Sequence, residues 1–267
     1  MRYEEQAPSA LLSPYIERFW AFSVEADDPP AFEHVIVPDG TINLNFIAPG
    51  PNGEVLLNLT GSTETAIRVT VYRGVTYRGV RFRAGAIGPF WGLRAGDLLG
   101  RMVALDDLCP ERASDLTQRL AVATDLRGFA EAFEASVREA RPLPDAAVAH
   151  MVDEIVATHG HLPLEPLLAR SGLSARQARR RFVEAVGLTP KVFARIRRVR
   201  RACVDLALLP DTELAALSVA HGFADQPHFS RELRAMLDVP PQVLRDYLRR
   251  IRHINLREVS DSFKPDA

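Results

Sequence analysis

Cysteine is scarce: the chain of 267 residues holds two, Cys109 and Cys203, far apart and in unrelated contexts. They form no CxxC and cannot supply a four-ligand zinc site. A reducing, cytoplasmic compartment is the simplest expectation. Residues 1–140 contain one histidine, His34, which excludes the clustered imidazoles of a metal-binding cupin, so no metal is expected. There is no P-loop, no GxGxxG in a βα setting and no serine on a nucleophile elbow, so neither an enzyme nor a cofactor is expected. No run of about eighteen uncharged apolar residues exists, so no membrane-spanning helix is expected. The opening MRYEEQAPSALLSPYIERFW carries acids early and lacks an apolar stretch ending at small residues, which argues against a signal peptide. What remains is 47% apolar and 25% charged, ordinary for a globular chain and long enough for two domains.

The net charge of −1 conceals a division. Residues 1–160 hold 14 Arg and no Lys against 22 acids, a net −8. Residues 161–257 hold 18 Lys+Arg against 9 acids, a net +9, and the last ten hold one Lys against three acids, a net −2. A basic segment joined to an acidic one suggests a polyanion partner for the basic part.

Short β-rich runs fill the first half: 15–24, 33–37, 41–48, 55–60, 66–72 and 76–83. Several alternate polar with apolar, as in Asn43-Leu44-Asn45-Phe46 and Arg81-Phe82-Arg83. Turn residues separate them, among them Pro38-Asp39-Gly40 and Pro49-Gly50-Pro51-Asn52-Gly53. Helical spacing follows at 94–101, 111–122 and 125–139, and the proline-bearing segment 139–145 reads as a boundary. Trp20, Phe22, Phe82, Phe90 and Trp91 are candidates for an effector pocket, although such residues more often fill a small β core. Arg81 and Arg83 share the strand face opposite Phe82, where one could bind an anionic effector, with surface ion pairing as the plainer role.

The second half reads as helices. Asp145 caps one with Val148, Met151, Val152 and Ile155 on one face. A short helix, the turn Ser171-Gly172-Leu173 and a capping box from Ser174 to Gln177 lead into Ala175–Val186. That helix buries Ala178, Phe182 and Val186 and carries Arg176, Arg179, Arg180 and Arg181. The plan recurs: a helix expected to start at Asp211, the turn His221-Gly222-Phe223, then a helix capped by Asp225 with Phe229 and Leu233 inside. Two such units in register form a doubled helix-turn-helix. Between them 190–209 reads as one helix, flanked by Pro190 and Pro210. The expected fold class is therefore α+β in two domains. Residues 1–140 form a mostly-β barrel- or sandwich-like domain with trailing helices. Residues 145–253 form an all-α domain with two helix-turn-helix units.

About residues 145–250 resemble the DNA-binding domain of AraC/XylS-type bacterial transcription regulators. The matching residues include Ser171-Gly172-Leu173-Ser174, Phe182, Gly187-Leu188-Thr189-Pro190, Gly222-Phe223-Ala224-Asp225, His228-Phe229-Ser230-Arg231 and Val239-Pro240-Pro241. VPDG at 37–40 and GVRFRAGA at 79–86 resemble a poorly characterised domain that precedes such DNA-binding domains. The resemblance implies seven helices, with a shared helix carrying two recognition helices into successive major grooves. Position by position it assigns base contacts to Arg176, Arg179 and Arg180, and to Gln226, His228 and Arg231. Arginine reads guanine and glutamine reads adenine, whereas Pro227, in the same turn, has no donor. Arg195, Arg197, Arg198 and Arg201 are cast as phosphate contacts. Arg197 could instead be held inside by Asp205 or Glu213. The partners implied are double-stranded DNA, a small-molecule effector, RNA polymerase and, by analogy, a second copy of the chain. The rival reading is a ligand- or protein-binding module whose DNA-binding domain is vestigial.

Overall fold

The computed structural model describes residues 1–50, 53–137, 141–209 and 211–254. Pro210, part of the 139–145 boundary, residues 51–52 of the proline–glycine turn and the acidic stretch 258–267 lie outside these. Nine strands and twelve helices alternate unevenly among the described residues. The strands are β1 (Arg2–Gln6), β2 (Ile16–Ser23), β3 (Ala31–Ile36), β4 (Asn43–Ala48), β5 (Leu56–Thr60), β6 (Ile67–Tyr72), β7 (Thr76–Phe82), β8 (Met102–Ala104) and β9 (Arg252–Ile254). Seven form an open sheet in the order β8-β5-β4-β7-β2-β1-β9, and β3 pairs with β6 in a second, two-stranded sheet. The arrangement is sandwich-like and not a closed barrel. β9, which follows the helical domain, pairs in parallel with β1, Arg2 opposite Arg252.

The large sheet has two unlike faces because side chains alternate along each strand. One face carries Phe19, Leu44, Phe46, Leu59, Val80 and Phe82, all buried. Against it lie α1 (Ile87–Trp91), α2 (Ala95–Leu98), α3 (Leu105–Leu108), α4 (Pro110–Ala121) and α5 (Leu126–Ser136), closing one apolar core. The other face carries Tyr3, Glu5, Trp20, Phe22, Asn43, Asn45 and Arg81, and it meets the helical domain. Phe22 and Val71 share a second core with Phe182, Phe193 and Phe229 of that domain.

The helical domain comprises α6 (Ala146–Ala157), α7 (Leu164–Arg170), α8 (Ala175–Val186), α9 (Pro190–Leu208), α10 (Leu214–Ala220), α11 (Gln226–Leu237) and α12 (Pro241–Arg249). Its helix starts follow local chemistry. Asp145 accepts from the N–H groups of Ala147 and Val148, and Ser174 with Gln177 forms the full capping box. Thr189 caps α9 ahead of Pro190, and Asp225 caps α11 by accepting from His228 N–H. Such caps satisfy donors that the first helical turn leaves open. One start differs from the expectation: α10 begins after Glu213, not Asp211, and has no side-chain cap.

Candidate DNA-reading faces and the cavity between the domains

On α8, Arg176, Arg179 and Arg180 are exposed, while Ala178, Phe182 and Val186 face inward. Arg179 pairs with Glu165 on α7, and Arg180 lies 3.8 Å from Glu184 one turn on. Both pairs are open to solvent, where such contacts are worth little and exchange readily for a phosphate or a base. On α11, Gln226 and Arg231 are exposed and His228 is half-buried. His228 Nδ1 accepts from the Ala224 N–H at 3.2 Å, and its ring meets Phe223 edge-on at 5.6 Å. That contact leaves Nε2 as the site of the proton on the neutral ring. Pro227 occupies the first turn, where a missing N–H costs nothing.

α9 joins the two units. Its 19 residues span about 28 Å at roughly 1.5 Å per residue, against about 34 Å for a turn of B-DNA. The four arginines expected to touch phosphate meet different fates. Arg195 donates from Nε to Glu232 on α11 at 2.6 Å, tying the shared helix to the second helix-turn-helix unit. Arg198 lies over the Phe223 ring at 4.9 Å, and Arg201 pairs with Asp205 at 2.9 Å. Arg197 is the correction. It is only 9% exposed and donates to both oxygens of Glu17 at 3.0 and 3.3 Å, and to the Asp39 carbonyl at 3.1 Å. In this arrangement it is closed to a phosphate. It lies one turn past Phe193, on the side of α9 turned to the sheet domain. Neither Asp205 nor Glu213 holds it. Asp205 instead takes Arg201 and, at 3.0 Å, His221 Nε2.

Arg197 belongs to a buried ionic cluster that joins the two domains. Arg81 donates to Glu5 at 2.8 Å, to Asp39 at 3.0 Å and to the Tyr3 hydroxyl at 3.0 Å. The Tyr3 hydroxyl donates to Glu5 at 2.6 Å, and Arg200 of α9 stands 4.0 Å from the same carboxylate. Burial pushes the Glu5 and Asp39 carboxyls up, but Arg81 and then Arg200 pull them further down, each to about 2. Partial burial pushes Glu17 up as well, yet Arg197 and then Arg81 hold its pKa below the ordinary value. Asp39 additionally accepts from the Thr41 N–H and hydroxyl, so it serves as turn former and ion-pair partner together. Gly40 has φ +74°, and a Cβ there would stand 2.7 Å from the Phe193 ring. The Pro-Asp-Gly turn is therefore the socket into which α9 seats.

Further contacts hold the helical domain down. The Ala66 N–H donates to the Met236 carbonyl at 2.7 Å, and Arg68 donates to the Leu237 carbonyl at 3.2 Å. Arg83 pairs with Asp153, and His34 Nδ1 meets the Tyr247 hydroxyl.

Between the sheet and α9 lies a cavity of about 220 Å³. Trp20, Phe22, Tyr77, Val69 and Val71 form one side. Arg200, Cys203, Val204 and Ala207 of α9, with Leu248 and Ile251, form the other. Asn43, Asn45, Thr60, Asp39 and Arg81 make its polar end. Trp20 stands opposite Gly79 in the β2–β7 register, and a Cβ on Gly79 would meet its indole at 2.4 Å. Glycine there lets the indole lie across the strand.

The five aromatics expected to line an effector pocket are not brought together. Trp20 and Phe22 line this cavity. Phe82, Phe90 and Trp91 pack on the opposite sheet face, with ring centroids 5.2–5.7 Å apart. The sequence does not supply the registers that set β2 residues 20 and 22 on one face and β7 residues 80 and 82 on the other. Sequence reasoning also missed Glu5, which is buried, and Glu17 and Arg200, which are half-buried; their signal is charge at positions withdrawn from solvent.

A helix-turn-helix family model matches residues 167–247, and a domain of unknown function (DUF6597) matches residues 4–104. No curated protein matches the chain. Among solved structures, a Chromobacterium violaceum transcriptional regulator with an AraC-type DNA-binding domain is 24% identical. The match covers 39% of this chain and 93% of that one, with a TM-score of 0.36. ToxT from Vibrio cholerae O395, bound to (E)-4-(8-methylnaphthalen-1-yl)but-3-enoic acid, is 10% identical. That match covers 82% of this chain and all of that one, with a TM-score of 0.45.

Proposed function

From a chain whose residues 167–247 match a helix-turn-helix domain, we propose an AraC-type, sequence-specific DNA-binding transcription regulator under small-molecule control. It acts in the cytoplasm, by binding and not by catalysis. The observation that carries this is the pair of helix-turn-helix units on one shared helix, each with polar side chains exposed on its second helix. Arg176, Arg179 and Arg180 read guanines from α8. Gln226, His228 and Arg231 read from α11, with Pro227 limited to apolar contact or to setting the helix entry. Arg195, Arg198 and Arg201 stand along the backbone and position the protein without specifying sequence. A second copy of the chain and RNA polymerase are further partners implied by the family resemblance alone.

Control requires an effector that binds one arrangement of the domains better than another. The cavity bounded by both domains supports that reading, because its occupant touches the helix that holds both readers. In vitro selection of DNA sites with the purified full chain tests the function. An enriched motif with two elements about one helical turn apart is expected. A pool that shows no sequence preference overturns it, as does undiminished affinity for the enriched site in Arg179→Ala/Arg180→Ala.

A further inference from the structure

The ionisable groups around the interdomain cavity are either uncharged or matched within the protein. Three guanidinium groups balance three carboxylates: Arg81 bonds Glu5 and Asp39, Arg197 bonds Glu17, and Arg200 stands 4.0 Å from Glu5. Burial brings the His34 imidazole down to about 4, so it is neutral at pH 7, and burial pushes the Cys203 thiol up to about 12. The cluster as a whole is neutral, so a charged guest entering here adds a charge that nothing around the cavity balances, and burying an unmatched charge is costly.

Hydrogen-bonding capacity remains. Asn43 and Asn45 give their amide N–H groups to Asp39, Thr41, Asn58 and Thr60, and their amide oxygens accept nothing among the described residues. The Trp20 indole N–H likewise has no hydrogen-bond partner among them. Val69, Val71, Val204, Ala207 and Leu248 make much of the remaining lining apolar.

We infer that this cavity is the effector site and that it takes an uncharged molecule, apolar over most of its surface, with a hydrogen-bonding group at one end. The inference rests on the proposed reading of the chain as an effector-controlled regulator. An engineered cavity of about 150 Å³ holds benzene, so this one, at about 220 Å³, holds roughly nine non-hydrogen atoms. The occupant contacts the sheet through Trp20 and Asn45 and the shared helix through Cys203, Val204 and Ala207. It binds the docked arrangement, and mass action then favours that arrangement.

Benzamide, benzoate and benzamidine are matched probes: one shape, with neutral, negative and positive heads. Saturation-transfer NMR on the full chain, titrated with each, reads the binding. Benzamide is expected to saturate, with the two ions about tenfold weaker because neither meets an unmatched counter-charge. Ala207→Phe, which fills the cavity from α9, abolishes the benzamide signal. Val204→Phe does the same should the first variant fail to fold. The inference is overturned by absence of saturable benzamide binding, by benzoate or benzamidine binding as tightly, or by unchanged binding in a folded filled variant. Site selection on the same preparation separates the two readings. A chain that selects a DNA site but ignores benzamide loses only the cavity assignment. A chain that binds benzamide but selects no site loses the regulator assignment.

Discussion

Arginine serves two opposite ends in this molecule. On α8 and α11, Arg176, Arg180 and Arg231 stand in solvent. Under α9, Arg81 and Arg197 are buried against carboxylates from a distant part of the chain. Composition counts both sets alike. Their difference is one of surroundings: an exposed guanidinium exchanges partners freely, whereas a buried one is committed to the carboxylates that keep it charged. A basic segment is thus only partly a polyanion footprint. Some of its charge holds the acidic half in place.

The comparison can be broken most forcefully at Arg81. Arg81→Met leaves Glu5 and Asp39 buried without their main counter-charge, and a loss of about 3–5 kcal/mol in denaturant unfolding is expected. Combining it with Glu5→Gln and Asp39→Asn recovers part of the loss. No recovery would mean that packing, not charge pairing, sets the cost. The exposed set comes next. Arg179→Ala and Arg180→Ala should each cost about 1–3 kcal/mol, confined to the base pair each one reads, when affinities for single-base operator variants are compared. They should leave unfolding nearly unchanged.

A third effect belongs to the buried region alone. His34 stacks on Phe22 with ring centroids 4.4 Å apart, and burial lowers its pKa from the ordinary 6.5 to about 4. The unfolded chain takes up this proton first as pH falls. The contribution to stability is therefore complete above pH 6.5 and is lost as pH falls toward 4. About 1–2 kcal/mol should disappear between pH 7 and 5, and His34→Phe should remove that part of the pH dependence. The smallest effect separates neighbours on one helix. Arg198→Ala should reduce the salt slope of DNA binding by about one, while Arg197→Ala leaves the slope as it was.

Local chemistry made much of the fold legible. The capping box at Ser174–Gln177, the caps at Asp145 and Asp225, and the alternation in β4 and β7 are written within a few residues of where they act. Elements resting on distant partners were hidden. β1 reads Arg-Tyr-Glu-Glu-Gln, hardly a strand to bury, and makes sense only once Glu5 meets Arg81 and Arg200. α1 carries Gly88-Pro89 within its five residues and gives no helical period. Arg197 shows the same limit in the candidate site. Its place on α9 could be read from spacing, but what covers that side comes from the other half of the chain, at Glu17 and Asp39.

The parallel pairing of β9 with β1 sets Arg252 beside Arg2 and encloses the seven helices between two strands of a single sheet. The helical domain is thereby moored fore and aft. It cannot swing away from the sheet on one tether unless the β9 seam unzips. A repositioning that leaves the seam intact is confined to what a closed loop of chain allows.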